Sequence, residues 1–383
     1  MLNTSKNHTI EGFKHKIGKH CESSSMRDIF EFNGFPMTEA MAFGLDASLG
    51  FVYFNRTTNP EDMEDMTDNA PFFFGGKQGT IESTSIACRI LGLNVRKQSF
   101  TNADKAWIET KKLINDEIPL ILKVDLAYLP YFRFEGVQVH FGGHAITLAG
   151  YDEDKRIALV GESDREGFQE VPIENLKTAR SSTYGPKFMR PNNTQFSMST
   201  RQDGKLPPFA AGVKLAIKQC VDNMLRPSLN NFGIQGLKLF ARSIPDWKDS
   251  LQGQVKDSNG NLLSIARLMF EFAHGYIETW GTGGALFRNL YKEFLEELLV
   301  TPELNEGPKA WNSNDFDYLK KGVSIISESV ELWNRISGML ETTVKENRNN
   351  CLENMDLLEF QGIIDSIASK EEELFRNLLH IKI

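Results

Sequence analysis

The sequence predicts an α+β domain built on an antiparallel sheet, followed by an all-α domain. Two changes of pattern along the 383 residues carry that expectation. Between 118 and 173, short runs rich in β-branched residues follow one another, each bounded by Gly, Asp or Pro, as neighbouring strands are. Beyond residue 208 the spacing of Leu, Ile, Met and Phe becomes almost wholly helical. Length agrees, since 383 residues is two to three times a typical domain. An apolar content of 40% and 27 phenylalanines exclude a chain that is disordered throughout.

Taken in order, residues 21–33 (CESSSMRDIFEFN) put Met26, Ile29, Phe30 and, nearby, Phe32 on one helical stripe, and Gly34 follows as a left-handed stop. TEAMAFGL at 38–45 is a second helix with Thr38 as its N-cap, and GTIESTSIACRILGL at 79–93 a third, with Gly92 near its end. The expected strands are IPLILKVD (118–125), HAITLAGYD (144–152), RIALVGES (156–163) and FQEVPI (168–173), with DEDK at 152–155 as a hairpin turn. Residues 185–208 hold four of the 14 prolines with Asn, Ser and Gly, a linker composition. Helices are expected at 209–226, 234–242, 262–277, 284–300, 315–347 and 352–379. The division is a first domain over 1–195, a linker over 196–208 and a helical domain over 209–383.

Charge and cysteine usage narrow the function. With 51 acids against 43 bases, the formal charge of −8 argues against a nucleic-acid binder, which needs a basic face. No apolar run approaches the ~20 residues of a membrane helix. The polar stretch MLNTSKNHTIEGFKHKIGKH lacks the apolar core of a secretory signal, so the expected compartment is the cytoplasm. Four scattered cysteines, without a CxxC or a His at ligand spacing, suit free thiols better than disulfides or a zinc site.

The most suggestive element is HCESSSM. Cys21, opening a helix, meets the positive end of the helix dipole and backbone N–H groups that have no helical partner. Both stabilise thiolate, the nucleophilic form. Lys14, His15, Lys16, Lys19 and His20 add positive charge just before it. The competing reading is a buried helix cysteine behind a basic patch. In HFGGHAITLAGYD, His144 begins an apolar strand after two glycines, where an imidazole can point into a cleft as a base for Cys21. A core or capping histidine is the alternative, and metal ligation with His140 lacks a further ligand at convincing spacing. ALVGESDREG supplies the acid that would hold the imidazole tautomer. Asp164, near the end of the next strand, ranks modestly ahead of Glu162, which shares its face, while Asp152 sits in the turn. Cys, His and Asp in that order suit a papain-like thiol enzyme.

These residues also look familiar. HCESSSMRDIFEFNGFPMTEAMAFGLDASLGFVYF, VDLAYLPYF, HFGGHAITLAGYD and SDREG…VPIENLKTARSS together resemble the butirosin biosynthesis protein H family. GYIETWGTGGALFRNLYKEFLEELL resembles the helical domain that commonly follows, so the likeness covers residues 10–195 and 210–375. It implies a papain-like or bacteriocin-peptidase-like fold turned to acyl transfer. The butirosin member moves an aminoacyl chain from an acyl-carrier-protein thioester to an aminoglycoside amine. The implied partners are an acyl carrier protein and a small-molecule amine, with no bound cofactor beyond the carrier's phosphopantetheine arm as acyl donor. Carried over, Cys21 matches the nucleophile, His144 the general base and Asp164 the orienting acid. Papain-like enzymes often place an oxyanion-binding Gln a few residues before the nucleophile. This chain has none there, and the position six before Cys21 is His15. The oxyanion candidates are therefore the Cys21 N–H with His15 or His20.

In GTGGALFR (281–288), Gly283 and Gly284 allow close approach of a pantetheine arm or acyl chain, and Arg288 could meet a phosphate or carboxylate. The plainer reading is a helix-packing elbow with Arg288 paired to Glu278. The Lys14–Lys19 cluster, or Lys187 and Arg190, could dock an acidic carrier, against the plainer reading of a solvated face. The long C-terminal helices could pair across a dimer as easily as within one chain. The expected function is a thioester-dependent amide synthase acting through a Cys21 acyl-enzyme in natural-product biosynthesis. Its rivals are a cysteine peptidase or peptide-processing hydrolase with the same triad, and a non-catalytic scaffold with Cys21 in its core.

Overall fold

The computed structural model describes residues 5–55, 70–78, 85–132, 140–185, 187–201, 206–256, 262–347 and 350–383. Along the first half run β1 (Asn7–Thr9), α1 (Cys21–Phe32), α2 (Glu39–Leu45), β2 (Leu49–Asn55) and β3 (Phe72–Lys77). A short helix at Ile86–Ile90 leads to β4 (Leu93–Gln98) and a helix at Ala103–Asn115. Then come β5 (Leu120–Val124), β6 (His144–Asp152), β7 (Ile157–Gly161), β8 (Phe168–Pro172), a helix at Ile173–Ser181 and β9 (Gln195–Thr200). The chain divides into two compact units, one of Met1–Ala42 with Thr80–Leu206 and one of Phe43–Gly79 with Pro207–Ile383.

The first unit is built on an antiparallel sheet ordered β4-β9-β5-β6-β7-β8. β1 pairs with the far end of β6, where Thr9 lies opposite Gly150. The four strands expected between 118 and 173 are neighbours in that order, and Asp152 Oδ1 closes the hairpin turn on the Lys155 N–H at 2.9 Å. His144 to Tyr151 are all buried, so β6 is covered on both faces and its sequence is apolar without alternation. α1 packs on β6 and β5, with Ile29 and Phe30 fully buried. It ends at Gly34, whose φ of +89° is the left-handed stop expected there.

Two expectations fail in this unit. The helix placed at 79–93 is reduced to Ile86–Ile90, because Leu93 already starts β4. Residues 79–84 of it lie outside the described residues. The stretch 196–208 is not a linker throughout. Gln195–Thr200 is a central strand bonded to both β4 and β5, which its Pro- and Asn-rich surroundings concealed.

The second unit is predominantly helical but not all-α, since β2 and β3 form a hairpin and Gln254–Lys256 pairs with Leu262–Ser264. The principal helices are Phe209–Leu225, Gly233–Ser243, Ile265–His274, Arg288–Leu298, Ser313–Glu346 and Leu357–Leu378. Phe51 of β2 and Phe74 of β3 stack on Phe240, and Phe72 stacks on Trp247 at 4.7 Å. These rings form the core.

The helix expected from residue 284 begins only at Arg288, because Gly284 to Phe287 all have positive φ. Left-handed backbone costs a non-glycine residue about 1–2 kcal/mol, so Ala285, Leu286 and Phe287 need support. Arg288 provides it. Its Nη1 donates to Leu286 O at 2.8 Å, while Nε and Nη2 each donate to Glu371 at 2.7 Å. Glu371 also accepts from Ser329 and Trp333, and both charged residues are fully buried. Arg288 is therefore neither a ligand for substrate phosphate nor the partner of Glu278. Gly283 O accepts from Asn289 Nδ2, and a Cβ on Gly284 would lie 2.8 Å from that amide and 2.9 Å from Glu278 Oε2. Gly284 is thus closed in by Asn289 and Glu278, while Gly283 is half-buried with its carbonyl held by Asn289, and no contact supports the substrate roles expected for them. Arg288→Ala leaves the Glu371 carboxylate buried without its cation and is expected to cost about 3–5 kcal/mol. Urea unfolding reads this directly, and a loss under 1 kcal/mol would contradict the account.

Candidate active site

His20 stands at the N-cap of α1 in extended backbone, and its Nδ1 accepts the Ser23 N–H at 3.2 Å. Cys21 is thus the first helical residue, at the positive end of the helix. It is partly exposed, whereas Cys88, Cys220 and Cys351 are buried. The approach to it is tightly packed: a Cβ on Gly18 would stand 2.3 Å from Ser24 Cβ and 2.8 Å from Glu39 Oε2. Glu39 accepts the backbone N–H groups of Lys19 and His20 at 2.7 and 2.8 Å, and the Ser23 hydroxyl at 2.8 Å.

The sheet positions the candidate base. His144 opens β6 opposite Val124, and its Nε2 donates to Glu162 at 2.9 Å. Glu162 follows Gly161, the last residue of β7, which lies opposite Thr147 of β6. The carboxylate is fully buried and also accepts from the Ser163 N–H at 2.9 Å and the Tyr131 hydroxyl at 3.1 Å. Phe132 sets its ring edge-on to His144 at 5.8 Å, and the Arg165 guanidinium covers Tyr131 at 4.9 Å. Lys123 bridges the two halves, bonding Glu22 in the first turn of α1 and Gly143 O just before His144.

Electrostatically, the His144 ring is coupled to the Cys21 thiol as well as to Glu162. Burial by itself would raise the Cys21 thiol. The electrostatic pull of His20 and hydrogen bonds from His144 and His20 reverse that and hold it well below the ordinary thiol value. Burial likewise opposes charge on His144, but the Glu162 charge and the bonds to Cys21 and Glu162 push it up to about 10. Glu162 is lowered despite its burial, by the His144 charge and by bonds from His144, Tyr131 and Ser163. The arrangement favours a thiolate–imidazolium pair with an ionised carboxylate behind it. Burial drives Cys220 the other way, up to about 12.

Cys21 and His144 are electrostatically coupled, but Asp164 is not among their partners. Its side chain is 58% exposed and lies 3.6 Å from Arg165. β7 ends at Gly161, so Glu162 is still held alongside β6, whereas two residues later the chain has turned into solvent. His15 is also excluded as an oxyanion donor. Its Nδ1 bonds Asp28 at 2.7 Å, and its Nε2 bonds Glu162 O at 2.8 Å and Arg165 O at 3.1 Å. It fastens α1 to the chain after β7, and a Cβ on Gly161 would lie 2.6 Å from its ring. His140 faces a different acid, with Nδ1 2.8 Å from buried Asp125 and its ring stacked on Tyr184 at 3.7 Å. Among the described residues, no group of three or more His, Cys, Asp and Glu side chains could hold a metal ion, and no helix is long and apolar enough to cross a membrane.

Sequence reasoning missed Tyr131, Ser23 and Glu39. Tyr131 lies inside the VDLAYLPYF motif, and Glu39 directly follows the Thr38 cap, so both were in view without a role. A family model described as butirosin biosynthesis protein H, N-terminal, matches residues 20–163. Another, described as a domain of unknown function (DUF4872), matches residues 174–378. No curated protein matches the chain.

Proposed function

We propose, from the likeness of residues 20–163 to the N-terminal part of butirosin biosynthesis protein H, that the chain is a papain-like acyltransferase of antibiotic-type biosynthesis, taking an acyl or aminoacyl group from a carrier-protein thioester onto Cys21 and passing it to an amine. The observation that supports this best is the Cys21 thiol at a helix start, electrostatically coupled to an imidazole whose Nε2 is held by buried Glu162. The Cys21 sulfur attacks the thioester carbonyl, forming a carbon–sulfur bond while the C=O pair moves onto oxygen. Collapse restores the carbonyl and breaks the bond to the pantetheine sulfur, which takes the proton from His144. Neutral His144 then accepts a proton from the amine as it attacks the acyl-enzyme. The amide forms and Cys21 leaves as thiolate.

The energetics suit this sequence. Exchange of one thioester for another is close to thermoneutral, and aminolysis to an amide runs downhill. Glu162 stays ionised throughout and keeps His144 in one tautomer. The Cys21 backbone N–H, in the first turn, has no carbonyl four residues before it within the helix and would donate to the oxyanion.

Intact-protein mass spectrometry after mixing with glycyl-pantetheine thioester tests this reading. The expected result is a single acyl adduct on Cys21 that an added amine discharges faster than water does. Rapid hydrolysis with no amide would favour a hydrolase. Asp164→Asn is expected to leave the acylation rate within about two-fold, as for a solvated surface acid. A ten-fold loss would restore Asp164 to the site.

A further inference from the structure

We propose that Lys123 is a positioning residue, whose ammonium sets Cys21 against His144 by tying the residue after the one to the residue before the other. This rests on the reading of Cys21 and His144 as nucleophile and base. Cys21 opens α1 and Glu22 follows it in the first turn, while Gly143 immediately precedes His144 at the head of β6. Lys123 Nζ donates to Glu22 Oε1 and also, at 3.2 Å, to Gly143 O. One ammonium thus joins helix to sheet at points a single residue from each member of the pair.

The tie has a firm root. Lys123 lies opposite Ala145 in the β5–β6 register, and the next pair along is Val124 with His144. Its side chain is 14% exposed and that of Glu22 6%, so the ion pair is largely out of bulk water. Gly143 is confined as well, since a Cβ there would stand 3.1 Å from the Phe141 ring and 3.4 Å from the Met189 methyl. A buried ion pair adds little net stability over well-packed apolar side chains, and its best-attested use is to hold one arrangement against others. An ammonium carries three donors on a rotatable stem, which suits two acceptors lying on different elements.

A second fastening holds α1 through His15, which joins Asp28 to the carbonyls of Glu162 and Arg165. Asp28 lies two helical turns beyond Cys21, about 10 Å along the axis. That fastening steadies the helix body, and the Lys123 contacts place its first turn. Proton exchange between sulfur and imidazole needs this accuracy, because a misplacement of about 1 Å can cost about 10²-fold in rate.

The experiment follows acylation by glycyl-pantetheine thioester and the pH profile of iodoacetamide alkylation, both at Cys21 of the full chain, in Lys123→Met, Glu22→Gln and the double variant. Charge alone predicts opposite signs: loss of the cation moves the acid limb of alkylation up, loss of the anion moves it down, and loss of both leaves it near wild type. A lost tie predicts one sign throughout. All three variants are expected to move that limb up by about one pH unit and to acylate about 10²-fold more slowly, with KM little changed. The double variant should be no worse than the worse single one, because both changes cut the same link. Lys123→Arg, which keeps the cation and its reach, should restore most of the rate. A limb that moves down in Glu22→Gln, a double variant that behaves as wild type, or lower melting with rates and profile unchanged overturns the proposal. If Lys123→Met does not fold, the sign in Glu22→Gln decides. Wild-type protein whose Cys21 is alkylated no faster than its other cysteines instead overturns the reading of Cys21 as nucleophile. Wild-type protein that alkylates there yet takes no acyl group overturns acyl transfer, and the alkylation profiles still decide the role of Lys123.

Discussion

Cys21→Ala is expected to lose the acyl adduct and lower amide formation by about 10⁴-fold or more, the scale seen when a nucleophile is removed. The reason lies in the contrast between thiols. Cys21 is held well below the ordinary thiol value, and a depressed pKa means that thiolate persists as pH falls until that value is crossed. Cys220 is raised to about 12 and Cys351 is raised by burial, so both remain protonated at neutral pH. Iodoacetamide at pH 6 should therefore label Cys21 first in the native protein. Peptide mapping that shows the four cysteines labelled evenly, or an adduct retained by Cys21→Ala, would remove the nucleophile from the mechanism.

Glu162→Gln is the second large effect, with an expected loss of about 10²–10⁴-fold in acylation. The amide keeps the shape of the side chain and removes its charge. His144 owes its rise to about 10 to that charge and to bonds with Glu162 and Cys21. A raised histidine is protonated below its pKa and loses the proton as pH climbs through it. The pantetheine sulfur needs that proton to leave, so wild-type acylation should hold into alkaline solution and fall near pH 10. In Glu162→Gln the falling limb should move toward the ordinary histidine range, near 6.5. A pH–rate profile whose alkaline limb does not move would show that Glu162 fixes geometry alone.

The legible parts of the site were those announced by a local pattern. Cys21 follows a capping residue at the head of an apolar helical stripe, and His144 stands at the first position of an apolar strand, so each could be located from its own neighbourhood. The choice between Glu162 and Asp164 needed the end of β7 to within a residue, which a period of two cannot supply. β4 and β9 were missed because LNVRKQ and QFSMST alternate weakly, and their membership of the sheet depends on each other and on β5. The partner of Arg288 lies 83 residues away, and no local spacing points to Glu371. Ala285, Leu286 and Phe287 carry no compositional sign of left-handed backbone, since glycine is the usual marker. His20 and His15 looked equivalent as basic neighbours. Only their hydrogen bonds separate a ring that caps the helix beside sulfur from one that serves as scaffold.

The interleaving of the two units has a consequence for synthesis on the ribosome. The β2–β3 hairpin leaves the exit tunnel early, yet Phe240, Trp247 and Trp333, which pack on its Phe51, Phe72 and Phe74, are translated only after the whole sheet of the first unit. Until then those rings have no cover within their own unit. The nascent chain thus carries an apolar hairpin without its covering rings through much of its elongation, the kind of exposed surface on which aggregation during synthesis begins.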